Sequence, residues 1–86
     1  MNAASSDVRD DSNSHLASDV GAALREARQR RGQSQRDVAT VARTSAGTVS
    51  RVERGDPHVT LSTVDRIATS LGMHLTFRFY RRIIRP

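Results

Sequence analysis

The chain has 86 residues, enough for one small domain, and its lack of cysteine excludes disulfides and thiolate metal sites. No apolar run approaches the roughly 20 residues of a membrane span, and the N-terminus lacks the basic-then-apolar pattern of a signal peptide, so a cytoplasmic protein is expected. Basic residues number 14, all arginine, against 9 acidic ones, giving a formal net charge of +5 and a pI near 11.4. Residues 1–19 hold one arginine and four aspartates, whereas residues 20–86 hold 13 arginines against five acids, a net +8. A small domain this basic points first to nucleic acid as its partner.

Residues 1–17, "MNAASSDVRDDSNSHLA", are almost without apolar side chains and are expected to form a disordered acidic and polar tail. Such a tail is either a solvated leader or an acidic competitor for the basic surface. A first helix is predicted from about Ser18 to Arg31, capped by Ser18 or Asp19 and ended by Gly32, with Val20, Leu24 and Ala27 on one face. A second runs from the Ser34 cap to about Arg43, with Asp37 completing an imperfect capping box and Val38, Ala39 and Ala42 inward. A third runs from the Ser45 cap to Arg54, with Val49 and Val52 as its short apolar stripe and Gly55 as its stop. After the turn "GDPHV", Thr60 or Ser62 caps a fourth helix that buries Leu61, Val64, Ile67, Ala68 and Leu71 and ends at Gly72. Residues 18–72 thus read as an all-α domain of four to five helices.

The period then changes. In "GMHLTFRFY", Met73, Leu75, Phe77 and Phe79 alternate with polar residues, which predicts a strand over 73–80. No second strand candidate exists upstream. The economical partner is the same strand of a second copy across a two-fold axis, with those four residues as the dimer interface. Continuation of the helix, or docking on the chain's own helices, are the other readings. The basic tail 81–86 ("RRIIRP") offers Arg81, Arg82 and Arg85 to DNA phosphates, to an acidic partner surface, or to solvent alone.

Two short helices, "SQRDVATVAR" and "AGTVSRVERG", separated by "TS", suggest a helix-turn-helix. Gln35 lies at the start of the second helix, where free backbone N–H groups favour an anion. On the third, Ala46, Gly47, Thr48, Ser50 and Arg51 fall on the side away from the valine stripe. Arg51 is the long side chain among them and suits either a guanine edge or a phosphate clamp. Gly47 lets a backbone approach closely, or is a chance glycine in a first turn.

At this point the residues from Gly21 to Gly72 resemble the phage-repressor-like helix-turn-helix family of Xre/Cro type. The marks are Arg28, Ser34-Gln35, Ala39, "TVSR" ending at Arg51, "ERG" at Glu53–Gly55, and Val64, Ile67, Ala68, Leu71 and Gly72. The resemblance implies a third helix that reads bases in the major groove through Ala46, Gly47, Thr48, Ser50 and Arg51. It implies that Gln35 hydrogen-bonds a DNA phosphate, with Arg36, Arg43, Ser45, His58 and Thr60 as further phosphate candidates; for Arg36 a purely solvated face is an equal reading. It implies a structural ion pair between Arg28 and Glu53. Two positions depart: Gln33 stands where the family has an apolar residue, and Arg43 where it has a turn glycine. The C-terminal "LGM-x-L-x-F" further resembles HipB-like antitoxins, which implies strand pairing between subunits, a palindromic operator as double-stranded DNA partner, and a cognate toxin protein as a second partner.

Nothing in the chain points to catalysis or to a cofactor. His15, His58 and His74 lack metal-ligand spacing, no serine sits in a nucleophile elbow, and the glycines form no phosphate loop. The leading expectation is a homodimeric, sequence-specific transcriptional regulator, a repressor, and in the narrower form of that reading an antitoxin. The rivals are an adaptor of the same fold without DNA specificity and a sequence-blind nucleoid-type binder.

Overall fold

Each of the three short helices begins on a hydroxyl that the sequence singles out. The computed structural model, which describes the backbone of residues 2–79 and 81 and the side chains of 15–79 and 81, contains α1 (Asn2–Arg30), α2 (Gln35–Ala42), α3 (Ala46–Glu53) and α4 (Leu61–Ser70). Ser34 Oγ accepts from the Asp37 N–H at 3.0 Å while the Asp37 carboxylate accepts from the Ser34 N–H at 2.9 Å, closing a reciprocal capping box. Ser45 Oγ accepts from Thr48 N–H at 3.0 Å, and Thr60 Oγ1 from Thr63 N–H at 3.2 Å. Each cap satisfies a backbone donor that the helix itself leaves open, worth about 1 kcal/mol against alanine.

The helices also end alike. After each, one left-handed residue lets two N–H groups turn back onto the last turn's carbonyls. The bonds are Gly32 to Gln29 and Gln33 to Arg28 after α1, Arg43 to Thr40 and Thr44 to Ala39 after α2, Gly55 to Val52 and Asp56 to Arg51 after α3, and Gly72 to Thr69 and Met73 to Ala68 after α4. Glycine holds the left-handed position three times. Arg43, at φ 57° and ψ 52°, holds it after α2. The turn therefore keeps its geometry despite the missing glycine, and a non-glycine residue carries the strain.

The core is Leu24 of α1, Val38, Ala39 and Ala42 of α2, Val49 and Val52 of α3, and Val64, Ile67, Ala68 and Leu71 around α4. Leu61, expected inward, is exposed: it opens α4, where the helix rises out of the core. α2 packs on both α3 and α4, and α1 packs on α3. The last contact is unusually close. A methyl group on Gly21 would overlap the Val52 and Glu53 carbonyl oxygens, so α1 crosses the end of α3 backbone to backbone.

Two boundaries differ from expectation. α1 begins at Asn2, well ahead of Ser18, so residues 2–17, expected as a tail, carry helical backbone. No proline or glycine lies between Asn2 and Val20, and extending an existing helix requires far less than starting one. Residues 73–79 have no regular secondary structure, and among the described residues there is no strand. A ladder needs a second extended segment, and every other element here is helical. Tyr80 and residues 82–86 lie outside the described residues. No helix among the described residues is long and apolar enough to cross a membrane.

Arg43→Gly is expected to stabilise the domain. Relief of left-handed strain, roughly 1–2 kcal/mol, exceeds the added chain entropy of glycine, about 0.5–1 kcal/mol. A gain of that remainder raises Tm by a few degrees for a domain of this size. Thermal unfolding followed by circular dichroism checks it, and an unchanged or lower Tm contradicts the strain at Arg43.

Candidate nucleic-acid interface

α2 and α3 are each 8 residues long and are joined by Arg43, Thr44 and Ser45 alone. α3 turns Val49 and Val52 into the core, which fixes its rotation about its own axis. Gly47, Arg51 and Arg54 are exposed on the other side, and Thr48 and Ser50 are half-buried. Nothing but the Ser45 hydroxyl comes within 4 Å of the place a Gly47 side chain would occupy. Ala46 differs from expectation: its methyl packs against the core, because the Ser45 cap turns the first helical residue inward.

The hydroxyls on this face are already engaged. Ser45 Oγ and Thr48 Oγ1 lie 2.9 Å apart in a hydrogen bond, and Ser50 Oγ accepts from an Arg54 terminal nitrogen at 2.6 Å. Arg51 Nε donates to Asp56 Oδ2 at 2.9 Å. The long cationic side chains of the face are thus held by partners on the protein.

Behind the face lies its anchor. Arg28 of α1 donates from Nε to Glu53 Oε2 at 2.7 Å and from Nη2 to Oε1 at 3.1 Å, a bidentate pair. Its third nitrogen donates to the Gln33 carbonyl oxygen at 2.8 Å. Gln35 Nε2, at the start of α2, donates to Glu53 Oε1 at 3.0 Å. The side chains are 13% exposed for Arg28 and 5% for Glu53. Burial alone would push the Glu53 carboxyl up; the hydrogen bonds from Arg28 and then Gln35, with the arginine charge, outweigh it and hold the carboxyl below its ordinary range. The hydrogen bond to Glu53 raises the Arg28 guanidinium in turn. One carboxylate therefore ties α1, α2 and α3 together. Gln35 faces Glu53 with one amide hydrogen and has a second left to donate.

The remaining candidates lie on α2, in the turn after it and in the connection to α4. Arg36 on α2 and Arg43 in the turn are exposed. His58 and Thr60, also exposed, lie in the connection to α4; the His58 N–H is bound by Asp56 Oδ1 at 2.9 Å, and the Thr60 hydroxyl by Thr63 at 2.9 Å. Three contributors are not evident from sequence. Arg66 Nε donates to the Ala42 carbonyl at 3.1 Å and Arg31 to the Leu71 carbonyl at 3.3 Å, each a cation on a helix end. Asp56 is the third, and an aspartate followed by proline in a turn is its signal. Gln33, the second departure, leaves its amide oxygen buried without a partner.

The interface expected on the C-terminal segment is divided. Met73 and Leu75 are half-buried against the chain's own core, whereas Phe77 is 55% and Phe79 94% exposed. An open groove of about 500 Å³ runs beside them, lined by Leu16, Val20, Val59, Leu61, Leu75 and Phe77 among others.

A family model described as a helix-turn-helix domain matches residues 19–76, from the start of the packed part of α1 to the edge of the exposed phenylalanines. Comparison with curated proteins and with solved structures gave no match.

Glu53→Ala is expected to lower stability by about 3 kcal/mol, because it leaves Arg28 half-buried without its counter-charge. The folded-state carboxyl sits below its unfolded value near 4.3, so its contribution is present above that value and disappears as pH falls through the folded one. Urea midpoints measured from pH 7 to pH 3 are expected to fall less steeply in Glu53→Gln than in the wild type. Equal slopes would mean that Glu53 is not the group that titrates; Asp37 and Asp56, also held below their ordinary range, would then account for the whole loss.

Proposed function

This chain belongs to the helix-turn-helix domain family, and from that premise we propose that it is a homodimeric, sequence-specific transcriptional repressor acting on a palindromic operator. The observation that carries the reading is α3. It combines a buried valine stripe, an open backbone at Gly47 and an exposed Arg51 on a helix whose far end is clamped by Arg28 and Glu53. A helix of this width enters a B-DNA major groove, and a rigid anchor fixes which residues meet the base edges. The net +8 of residues 20–86 supplies the attraction to phosphate. The second amide hydrogen of Gln35 serves a phosphate from the α2 N-terminus, with Arg36, Arg43, Ser45, His58 and Thr60 as auxiliary contacts.

Dimerisation follows from size and from Phe77 and Phe79. An 8-residue recognition helix spans about 12 Å and meets only a few base pairs. Two copies read half-sites about 34–36 Å apart. The chain has two phenylalanines and both face solvent, an arrangement that a second copy would bury. Pairing of residues 73–80 between copies would also occupy their backbone groups. The HipB-like antitoxin role is the narrower form of the same reading, in which the dimer additionally holds a toxin protein.

Selection from random duplex DNA by the full chain is expected to return a palindrome. Arg51→Ala is expected to lose preference at one position per half-site, by about tenfold, a loss within the roughly 1–3 kcal/mol of a bidentate base contact. Gln35→Ala is expected to weaken all sequences alike. A wild-type protein that binds every duplex equally would favour the sequence-blind reading, and one that binds none would favour the adaptor.

Phe77→Asp is expected to give a folded monomer by sedimentation, with unchanged helical circular dichroism and operator affinity reduced at least a hundredfold, as the second half-site is lost. A monomer that still binds the whole operator tightly would overturn the dimer.

A further inference from the structure

Resting on the reading of α3 as the DNA-reading helix, we propose that Asp56 determines specificity by fixing the Arg51 guanidinium so that it reads guanine. Asp56 stands outside α3, three residues beyond its last position, Glu53, yet it is tied to Arg51 twice. Its own N–H donates to the Arg51 carbonyl oxygen at 3.0 Å, in the turn that ends the helix. Its Oδ2 accepts from Arg51 Nε at 2.9 Å. The other carboxylate oxygen accepts from the His58 N–H at 2.9 Å, so the carboxylate is itself held by the "DPH" turn and cannot follow the arginine elsewhere.

The chemistry follows from which N–H is taken. A guanidinium has five N–H donors in one plane. With Nε–H on Asp56, the four donors on the two terminal nitrogens are left, and these have no protein partner among the described residues. Their common edge presents two parallel donors. Guanine offers two acceptors, O6 and N7, on its major-groove edge; adenine offers one acceptor beside a donor, and thymine and cytosine offer no matching pair. Holding the plane therefore converts a flexible cation into a two-donor reader with one complementary base.

Asp56 also decides between the two uses of Arg51 that the sequence leaves open. An unheld arginine can swing to the nearest phosphate. A fixed carboxylate beside the guanidinium lowers its attraction for a second anion and repels a phosphate that approaches from the same side. The neutralised pair keeps its hydrogen-bond donors, which suits a neutral base edge better than a phosphate. Gly47 fits the same design, since the bare first turn lets α3 come close enough for a side chain held back toward the helix C-terminus to reach.

The test uses the full chain and the selected operator, with the guanine pair assigned to Arg51 changed to each of the other three pairs in synthetic duplexes. Kd is measured at one salt concentration for wild type, Asp56→Asn, Asp56→Ala and Arg51→Ala. Asp56→Asn keeps an oxygen for the His58 N–H and places an amide donor against Arg51 Nε–H, so the turn survives while the arginine is released. Both Asp56 variants are expected to lose about tenfold of the guanine preference at that position alone, with the other positions unchanged. Their binding to unrelated duplex is expected to rise, with a salt dependence steeper by about one phosphate contact as Arg51 moves to the backbone. Full preference in both variants overturns the role of Asp56, even if the operator and the Arg51 effect stand. A uniform loss at every position also overturns it, since that marks a structural effect. Absence of any sequence preference in the wild type overturns the underlying reading of α3 and this inference with it.

Discussion

The three-way contact at Glu53 sets the geometry of everything else. Its carboxylate is the single group that α1, α2 and α3 share, through Arg28 and Gln35. A core built of valine, alanine, leucine and isoleucine supplies burial, which is a non-directional attraction. A bidentate guanidinium–carboxylate pair does not slide, since both its distances and its plane are specified. The Gly21 crossing works with it. Backbone touches backbone there, so α1 sits at the minimum distance from α3 and the pair bridges it without a gap. Stability comes from the core; the orientation of α3 comes from this polar clamp at its end.

The clamp also explains the placement of the exposed polar groups. Glu53 is the last residue of α3, so the helix is held at its C-terminus and capped by Ser45 at its N-terminus. Between those fixed ends, the solvent-facing turn is left with Gly47, Thr48, Ser50 and Arg51. Every one of these that can hydrogen-bond through its side chain has a partner on the protein: Ser45 for Thr48, Arg54 for Ser50, Asp56 for Arg51. Side chains already confined to one rotamer lose less entropy on binding than free ones. A small domain with few contacts to offer gains most from such preorganisation.

Local chemistry made most of the fold legible. Ser34, Ser45 and Thr60 marked helix starts, Gly32, Gly55 and Gly72 marked ends, and the apolar stripes of α2, α3 and α4 named the core, because each of these signals acts within one turn of helix. The start of α1 was not legible, since composition reports whether a segment can bury apolar surface and not whether its backbone continues an adjoining helix. The strand over residues 73–80 was read from alternation, which describes one face of a segment and says nothing of what supplies the ladder. Within the site, the bond from Gln35 to Glu53 and the hold of Asp56 on Arg51 were not legible. Neither residue sits in a periodic pattern; both act on residues distant along the chain or across a turn, and only the folded backbone brings them there.

The two departures at Gln33 and Arg43 share a physical meaning. One leaves a buried amide oxygen without a hydrogen-bond partner, the other holds an arginine at φ 57°, and each lowers stability by an amount that an ordinary substitution would recover. They flank α2 at its two ends. Gln33 precedes the cap beside the Arg28 clamp, where its carbonyl accepts the third guanidinium nitrogen. Arg43 sits in the turn into α3, with a charge that glycine lacks. A positive charge at the turn and a capped α2 N-terminus each favour an anion at their own end of the helix. Folding stability is thus given up at the two positions that bracket α2.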